Sequence, residues 1–207
     1  MQNIAIIDFG AGNLHSMLGS LREVAPQAQL QIISADDTNF AASHIIMPGV
    51  GAFGKAMANL SEQLAVLDYL REQVLGKKIP FLGVCVGMQI LAEYGEEDGN
   101  HRGLGWIPGE VKKFPESALK IPHMGWNNIE VKPQHGSAWS LDKFTNKDFY
   151  FVHSYYFAAK NERDIMAKTF YGDAFPAIIA KDNILATQFH PEKSGANGLE
   201  FLKEFVQ

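Results

Sequence analysis

The chain's only cysteine lies between two glycines at symmetric spacing. Cys85 is the centre of GVCVG (residues 83–87), with the apolar run IPFLGV before it and a helix-like run after it. This pattern is typical of a nucleophile elbow, a tight strand-to-helix turn that presents its nucleophile above a sheet. The following helix would direct free N–H groups and its positive dipole end at the sulfur, which favours thiolate. Because a lone cysteine is more often buried and inert, a structural cysteine is the alternative.

A thiol nucleophile needs a base, and the base needs a group that orients it. His190 follows an apolar run in ILATQFHPEKS, and Glu192 lies two residues later. Pro191 disfavours helical backbone at His190, and in extended backbone the side chains of residues 190 and 192 point the same way. The segment predicts a His–Glu pair; the alternative is a strand-end histidine beside a solvated glutamate. A metal site is less well supported, because the sequence marks no third ligand.

Acyl transfer also requires donors for the developing oxyanion. In IIMPGVGAFGKAM, Gly49 and Gly51 flank Val50 at the end of a predicted buried strand. Small residues let backbone N–H groups approach a substrate closely. Taken alone, the segment is equally a glycine-rich strand-to-helix turn, and only the other two motifs favour an oxyanion loop.

Composition narrows the class of protein. The chain has 207 residues, 46% hydrophobic and 20% charged, as expected of a soluble globule with a full core. Its net charge of -5 suggests no nucleic-acid partner. One cysteine excludes an internal disulfide and a cysteine-based zinc cluster, and a free thiol fits a reducing compartment. The N-terminus lacks a basic signal region, and no apolar run approaches the ~18 residues of a membrane span, so we expect a cytoplasmic protein.

The N-terminal glycines raise the question of a cofactor. Gly10 and Gly12 follow a predicted strand, as in dinucleotide-binding proteins, but His15 occupies the place of the third glycine. A partial fingerprint of this kind is weak, so we reject dinucleotide binding and expect no cofactor and no metal.

The first half of the chain alternates predicted strands and helices. Its strands are apolar throughout, which is typical of a parallel sheet covered on both faces. We expect Pro48-Gly49 to stop the third strand and Gly95 to close the helix that begins after Cys85. The strands are NIAIID, LQIIS, HIIM and IPFLGV, and the other helices are LHSMLGSLREV and LAVLDYLREQVL.

The second half predicts antiparallel additions and hairpins, because its strand-like segments are separated by Gly, Pro, Asn and Asp. We expect NGLEFLKEFV to form a closing helix, and we see no linker, so we expect one α/β domain. The strand-like segments are GWIPGEVKKF, NNIEVK, DFYFVHSYYF, IMAKTFY, PAIIAKDN and ILATQFH.

With these motifs in order along the whole chain, the sequence resembles the class I (triad-type) glutamine amidotransferases. Within that class it is similar to the glutaminase subunits of imidazole glycerol phosphate synthase, an enzyme of histidine biosynthesis. The elbow and HPE carry the first resemblance, and DFGAGN, PGVGAF and PHMGWN carry the second. The resemblance implies a flavodoxin-like, largely parallel sheet flanked by helices, and one amidotransferase domain spanning residues 1–207.

The resemblance also implies roles for individual residues. Cys85 would be the nucleophile, His190 the general base and then acid, and Glu192 the orienting carboxylate. Gly51 and the Gly49-Val50 peptide would serve the oxyanion. The residues implied to bind glutamine are Gln89, Ser154 and Tyr155.

By the same resemblance, the partner is a (β/α)₈ cyclase subunit in a heterodimer. The cyclase would receive ammonia and make imidazole glycerol phosphate and an aminoimidazole carboxamide ribotide. The residues implied to face it are Asn13, His123, Met124, Trp126, Tyr150 and Lys193.

Four residues depart from the family's usual pattern: Val86, Trp106, Ser154 and Tyr156 stand where leucine, an aliphatic residue, threonine and arginine are common. Ser154 retains a hydroxyl, whereas Tyr156 removes a charge. A paralogue supplying ammonia to a surface-sugar amidination pathway therefore stays open, as does a non-catalytic binding subunit of the same fold.

Overall fold

The computed structural model describes residues 2–115, 119–133 and 139–207. The predicted domain, 1–207, also includes residues 1, 116–118 and 134–138, which lie outside the described part. The strands are β1 (Asn3–Ile7), β2 (Gln29–Ile33), β3 (His44–Gly49), β4 (Phe81–Cys85), β5 (Tyr94–Gly95), β6 (His101–Arg102), β7 (Gly109–Lys113), β8 (His123–Asn128), β9 (Glu130–Val131), β10 (Asp148–His153), β11 (Tyr155–Ala159), β12 (Ile165–Tyr171), β13 (Asp173–Lys181) and β14 (Ile184–Thr187). The α-helices are α1 (Leu14–Val24), α2 (Phe53–Glu62), α3 (Leu64–Leu70), α4 (Val86–Gln89) and α5 (Gly195–Val206).

The main sheet confirms the predicted α/β class. Its order is β2-β1-β3-β4-β14-β13-β12-β9. The first five strands are parallel, and β13, β12 and β9 join antiparallel. Every residue of β4 is buried, as expected for a central strand covered by helices on both faces.

Parallel pairing brings the functional segments to one edge of the sheet. Gly49 at the end of β3 pairs with Cys85 at the end of β4, and Thr187 at the end of β14 pairs with Val84. His190 follows Thr187 by three residues. Ligand sites in such sheets lie beyond the carboxyl ends of the strands, so this edge is the expected place for a site.

The predicted strand DFYFVHSYYF is two strands in two different sheets. β10 pairs with β8, whereas β11 pairs with β7. The break falls at Ser154, where the ring of His153 bonds to the carbonyl of Tyr155 at 2.8 Å. A local turn of this kind competes with a continuous strand, which apolar patterning could not reveal.

The helix after Cys85 is shorter than predicted. α4 ends at Gln89, and Gly95 lies in β5 rather than at a helix end. The carbonyls of Ile90 and Leu91 accept bonds from Leu104, Trp106 and Ile107 at 2.8–3.1 Å. Long-range pairing with that loop therefore replaces the continuation of the helix.

Two other boundaries also differ from the prediction. Pro48 does not stop β3, which continues to Gly49. The pairing of β3 with β1 ends at Ile46, so the backbone N–H that proline lacks is not needed at position 48. The helix predicted over residues 64–75 is α3 followed by a π-helix, Arg71–Gly76.

Candidate active site

Cys85 occupies a strained corner between β4 and α4. Its backbone has φ 54° and ψ -108°, and the residue is 4% exposed. A Cβ on Gly83 would lie 2.7 Å from the carbonyl oxygen of Gly87, and one on Gly87 would lie 2.0 Å from that of Met47. The glycines are therefore required sterically, as the elbow prediction demands.

His190 and Glu192 form the predicted pair by a different local route. Nδ1 of His190 lies 2.9 Å from Oε1 of Glu192. His190 itself is extended, with φ -97° and ψ 99°, but residues 191–193 form a 3-10 turn rather than more strand. The hydroxyl of Ser194 donates to the carbonyl of His190 at 2.6 Å and holds this turn in place.

The pKa of His190 depends on both Glu192 and Cys85. Burial alone would lower the pKa of His190, but its electrostatic interactions with Cys85 and with the Glu192 carboxylate raise it to about 10. Glu192 occupies Nδ1, so Nε2 is the nitrogen left for the sulfur. Gln188 Nε2 donates to the Cys85 sulfur from 3.7 Å. The arrangement favours the imidazolium form of His190.

In the predicted oxyanion segment, Gly49-Val50-Gly51, the N–H of Val50 does not point to the space above Cys85. The N–H of Val50 donates to the carbonyl oxygen of Ala11 at 2.8 Å. Gly51 has φ +95°, and a Cβ on it would meet none of the described atoms within 4 Å. The Val50 peptide is thus fixed by a bond to the β1–α1 loop, not by the elbow.

A cavity of about 440 Å³ lies directly over Cys85 and His190. Its size is within the range of small-molecule sites. All three predicted glutamine-binding residues, Gln89, Ser154 and Tyr155, line it. Gln89 Nε2 donates to the Tyr155 carbonyl at 2.9 Å and to Gln188 Oε1 at 3.2 Å. Both amide hydrogens are therefore used, and its oxygen is the group left for a ligand.

Glu97 and Gln188 are among the residues of this site that sequence reasoning missed. Glu97 lines the cavity and accepts a bond from the Phe53 N–H, at the start of α2, at 2.7 Å. Burial raises the pKa of Glu97 more than that bond lowers it. Gln188 is buried beside the sulfur. Glu97 lies in an acidic loop and Gln188 in a strand end, and neither position carries a pattern typical of binding.

The residues predicted to face a partner divide into three groups. Asn13 and Lys193 line the mouth of the cavity. Met124 and Trp126 are 61% and 58% exposed on β8, and the ring of Trp126 meets that of Tyr150 edge-on. His123 is 3% exposed, because alternation along β8 turns it inward.

Tyr156, the departure that removes a charge, packs its ring against Phe114 with centroids 5.1 Å apart. Within residues 2–115, 119–133 and 139–207, no group of three or more His, Cys, Asp or Glu is arranged to hold a metal ion. No helix in the same ranges is long and apolar enough to cross a membrane.

With this geometry established, comparison with known proteins defines the class. The family model of glutamine amidotransferase class-I matches residues 5–207. The chain belongs to the class-I glutamine amidotransferase family. The crystal structure of a glutamine amidotransferase (TM-score 0.72, 18% identity, 98% of each chain covered) and the structure of PurLQS from Thermotoga maritima (TM-score 0.72, 14% identity, 99% and 97% covered) share its fold.

Comparison with curated proteins identifies similar proteins within this class. The chain is 45% identical over 206 residues to imidazole glycerol phosphate synthase subunit HisH 1 of Campylobacter jejuni strain RM1221, covering 99% of each. It is 43% identical over 207 residues to imidazole glycerol phosphate synthase subunit HisH of Leptospira interrogans, covering 98% of each.

Proposed function

We propose that the chain hydrolyses glutamine to glutamate and ammonia as the glutaminase subunit of imidazole glycerol phosphate synthase. The observation that carries the chemistry is His190, tied through Nδ1 to Glu192 and interacting with the Cys85 sulfur at the floor of one cavity. The identity to HisH subunits over nearly the full length supports the pathway. The family match over residues 5–207 supports the proposal that the whole chain is one amidotransferase domain.

The reaction follows from the positions of these groups. The proton of the Cys85 thiol passes to His190 Nε2 as the sulfur attacks the side-chain amide carbon of glutamine and the carbonyl π electrons move to oxygen. His190 Nε2 gives that proton to the departing nitrogen; the carbonyl re-forms, ammonia leaves, and a γ-glutamyl thioester remains. His190 then takes a proton from water, whose oxygen attacks the thioester carbon; the carbon–sulfur bond breaks, His190 returns the proton to the Cys85 sulfur, and glutamate is freed. Glu192 keeps the proton on Nδ1 and stabilises the imidazolium.

Glutamine recognition is assigned to the opposite wall of the cavity. Gln89 presents its amide oxygen, Ser154 its hydroxyl, and the backbone at Tyr155 further polar groups. Glu97 supplies a carboxylate in the same cavity, which suits the α-ammonium of a free amino acid. This assignment distinguishes free glutamine from a glutamine side chain within a peptide, which has no α-ammonium.

Ammonia then passes to a cyclase partner. We assign the docking face to exposed Met124 and Trp126 on β8, with half-buried Tyr150, and to Asn13 and Lys193 at the cavity mouth. Large aromatic side chains are frequent centres of binding energy in interfaces. The cyclase makes imidazole glycerol phosphate and an aminoimidazole carboxamide ribotide.

The test is to assay glutamate and ammonia release by the purified chain, alone and with the cyclase subunit. Cys85→Ala should lower glutamine-dependent turnover by ~10³-fold or more, because triad members act as a unit. Cyclase turnover with added ammonia should survive. Glutaminase activity retained by this variant would refute the assignment of the nucleophile. Synthesis on a surface-sugar substrate instead would favour the paralogue, and no glutaminase activity in either assembly would favour a binding subunit.

A further inference from the structure

Two buried histidines connect β8 to the wall of the cavity. His123 and His153 are opposite each other in the β8–β10 register, and Nδ1 of His123 lies 3.1 Å from Nε2 of His153. On one side, Asn127 Nδ2 lies 3.4 Å from Nε2 of His123. On the other side, Nδ1 of His153 lies 2.8 Å from the carbonyl oxygen of Tyr155. These contacts form one continuous hydrogen-bond network from Asn127 to Tyr155.

The two ends of this network determine which ring nitrogen of each histidine carries the proton. The Asn127 amide nitrogen also lies 2.8 Å from the carbonyl oxygen of Phe170. A carbonyl oxygen can only accept a hydrogen bond, so the Asn127 group at this position is the donating NH₂. His123 Nε2 must then accept, and its Nδ1–H donates to His153 Nε2. His153 Nδ1–H in turn donates to the Tyr155 carbonyl. Burial lowers the pKa of His123 to about 4 and that of His153 to about 3, so both rings are neutral and each has one donor.

The network ends at the Tyr155 carbonyl, which holds Gln89, a residue proposed to bind the substrate. The Tyr155 carbonyl accepts from His153 and from Gln89 Nε2, which uses both of its lone pairs. Gln89 donates its other hydrogen to Gln188, which donates to the Cys85 sulfur. The direction of the Gln89 amide, and hence the position of its free oxygen, depends on an occupied Tyr155 carbonyl.

We propose that His123 and His153 are positioning residues, a pair of fixed tautomer that orients the Tyr155 peptide and the Gln89 amide for substrate glutamine. This inference rests on the proposed glutaminase function. Neither ring touches the reacting atoms in this assignment. We expect their effect on substrate affinity, because the groups that they hold are assigned to glutamine binding and not to proton transfer.

The test uses His123→Phe, which keeps a ring against Tyr171 and Phe151 but removes both nitrogens. The KM for glutamine should rise about tenfold, the effect of one lost hydrogen bond, with kcat within about twofold. His123→Asn restores a donor near the Nδ1 position and should bring KM back toward the wild-type value. Phe175→Leu is the packing control: it contacts both imidazoles without bonding to them, and should lower stability at unchanged KM.

A second measurement is independent of turnover. Nitrogen-15 spectra of the wild-type chain should show protonated Nδ1 and unprotonated Nε2 in both rings, with coupling across the His123–His153 hydrogen bond. A protonated Nε2 in either ring overturns the inference, as does an unchanged KM in a folded His123→Phe variant. Absence of glutaminase activity in the wild-type complex would instead overturn the proposed function itself.

Discussion

The N–H of Val50 and the carbonyl oxygen of Ala11 are joined by a hydrogen bond of 2.8 Å. While that bond persists, the N–H cannot serve an oxyanion above Cys85. Glycines on both sides let the peptide rotate at little steric cost. The isolated chain is therefore in the orientation expected of a poorly active glutaminase, and a partner that favours the rotated peptide would activate it.

We expect the cyclase with its nucleotide ligand to raise glutaminase turnover by ~10²-fold or more, because one oxyanion donor is worth ~10²–10³ in rate. Val50→Pro removes that donor and should abolish the activation while leaving partner binding intact. Turnover and affinity are measured for the same preparations. Full activity of the isolated chain, unchanged on adding cyclase and ligand, would contradict this account.

Glu192 should matter less than His190, because it orients the ring while His190 moves the proton. Glu192→Gln keeps a hydrogen-bond acceptor near Nδ1 and should cost less in kcat than His190→Ala, by ~10-fold or more. Steady-state kinetics of the two variants in the activated complex decide this. Equal or reversed losses would mean that the roles are assigned wrongly.

The titration of His190 should depend on the charge of Cys85. The pKa is raised above its ordinary value of 6.5 to about 10, so the imidazolium persists as pH rises past neutrality. Cys85→Ala and Cys85→Ser both remove the sulfur that helps to raise the pKa of His190 and leave the burial, which lowers that pKa. In both variants the imidazolium should therefore be lost at lower pH than in the wild type. Histidine NMR shifts followed against pH test this, and equal titration in all three proteins would disprove the coupling.

Glu97 should govern affinity for the amino-acid end of glutamine. Glu97→Gln removes the charge and should raise KM roughly ten- to hundredfold, the effect of one charged hydrogen bond. Asp98→Asn is the matched control, because Asp98 is adjacent but exposed. An equal change in KM for both variants would indicate a general field effect instead of a contact.

Trp126 should anchor the partner. Trp126→Ala should weaken cyclase binding by about 30-fold or more, as at interface hot spots. Leu64→Ala removes a side chain of similar exposure, 65%, at the start of α3, and should change nothing. Calorimetric titration of each variant with cyclase compares them, and equal affinities would exclude this face of β8.

Local signals in the sequence predicted the parts of the site that local sterics determine. The corner at Cys85 was predictable because only glycine fits at positions 83 and 87, and the helix over 14–24 because its apolar spacing is regular. Glu97 and Gln188 were not, since their places depend on contacts with Phe53 and Cys85 that are distant in sequence.

The errors have the same origin. The helix after Cys85 was predicted too long because the partners of Ile90 and Leu91 lie more than ten residues away. The break at Ser154 likewise depends on a bond from His153 to the Tyr155 carbonyl, which apolar patterning does not reveal. In both cases contacts made by the fold overrode the pattern of the neighbouring residues.

The backbones that meet at Gly83, Gly87 and Met47 also limit what laboratory evolution could do with this enzyme. Even a methyl group at position 87 would lie 2.0 Å from a carbonyl oxygen. Mutant libraries that include these codons would mainly return inactive clones, so the turn that holds Cys85 should be left unchanged in a selection. A search for a glutaminase accepting other amides should instead diversify the facing wall, where side chains such as Glu97 and Ser154, rather than packed backbone, define the shape.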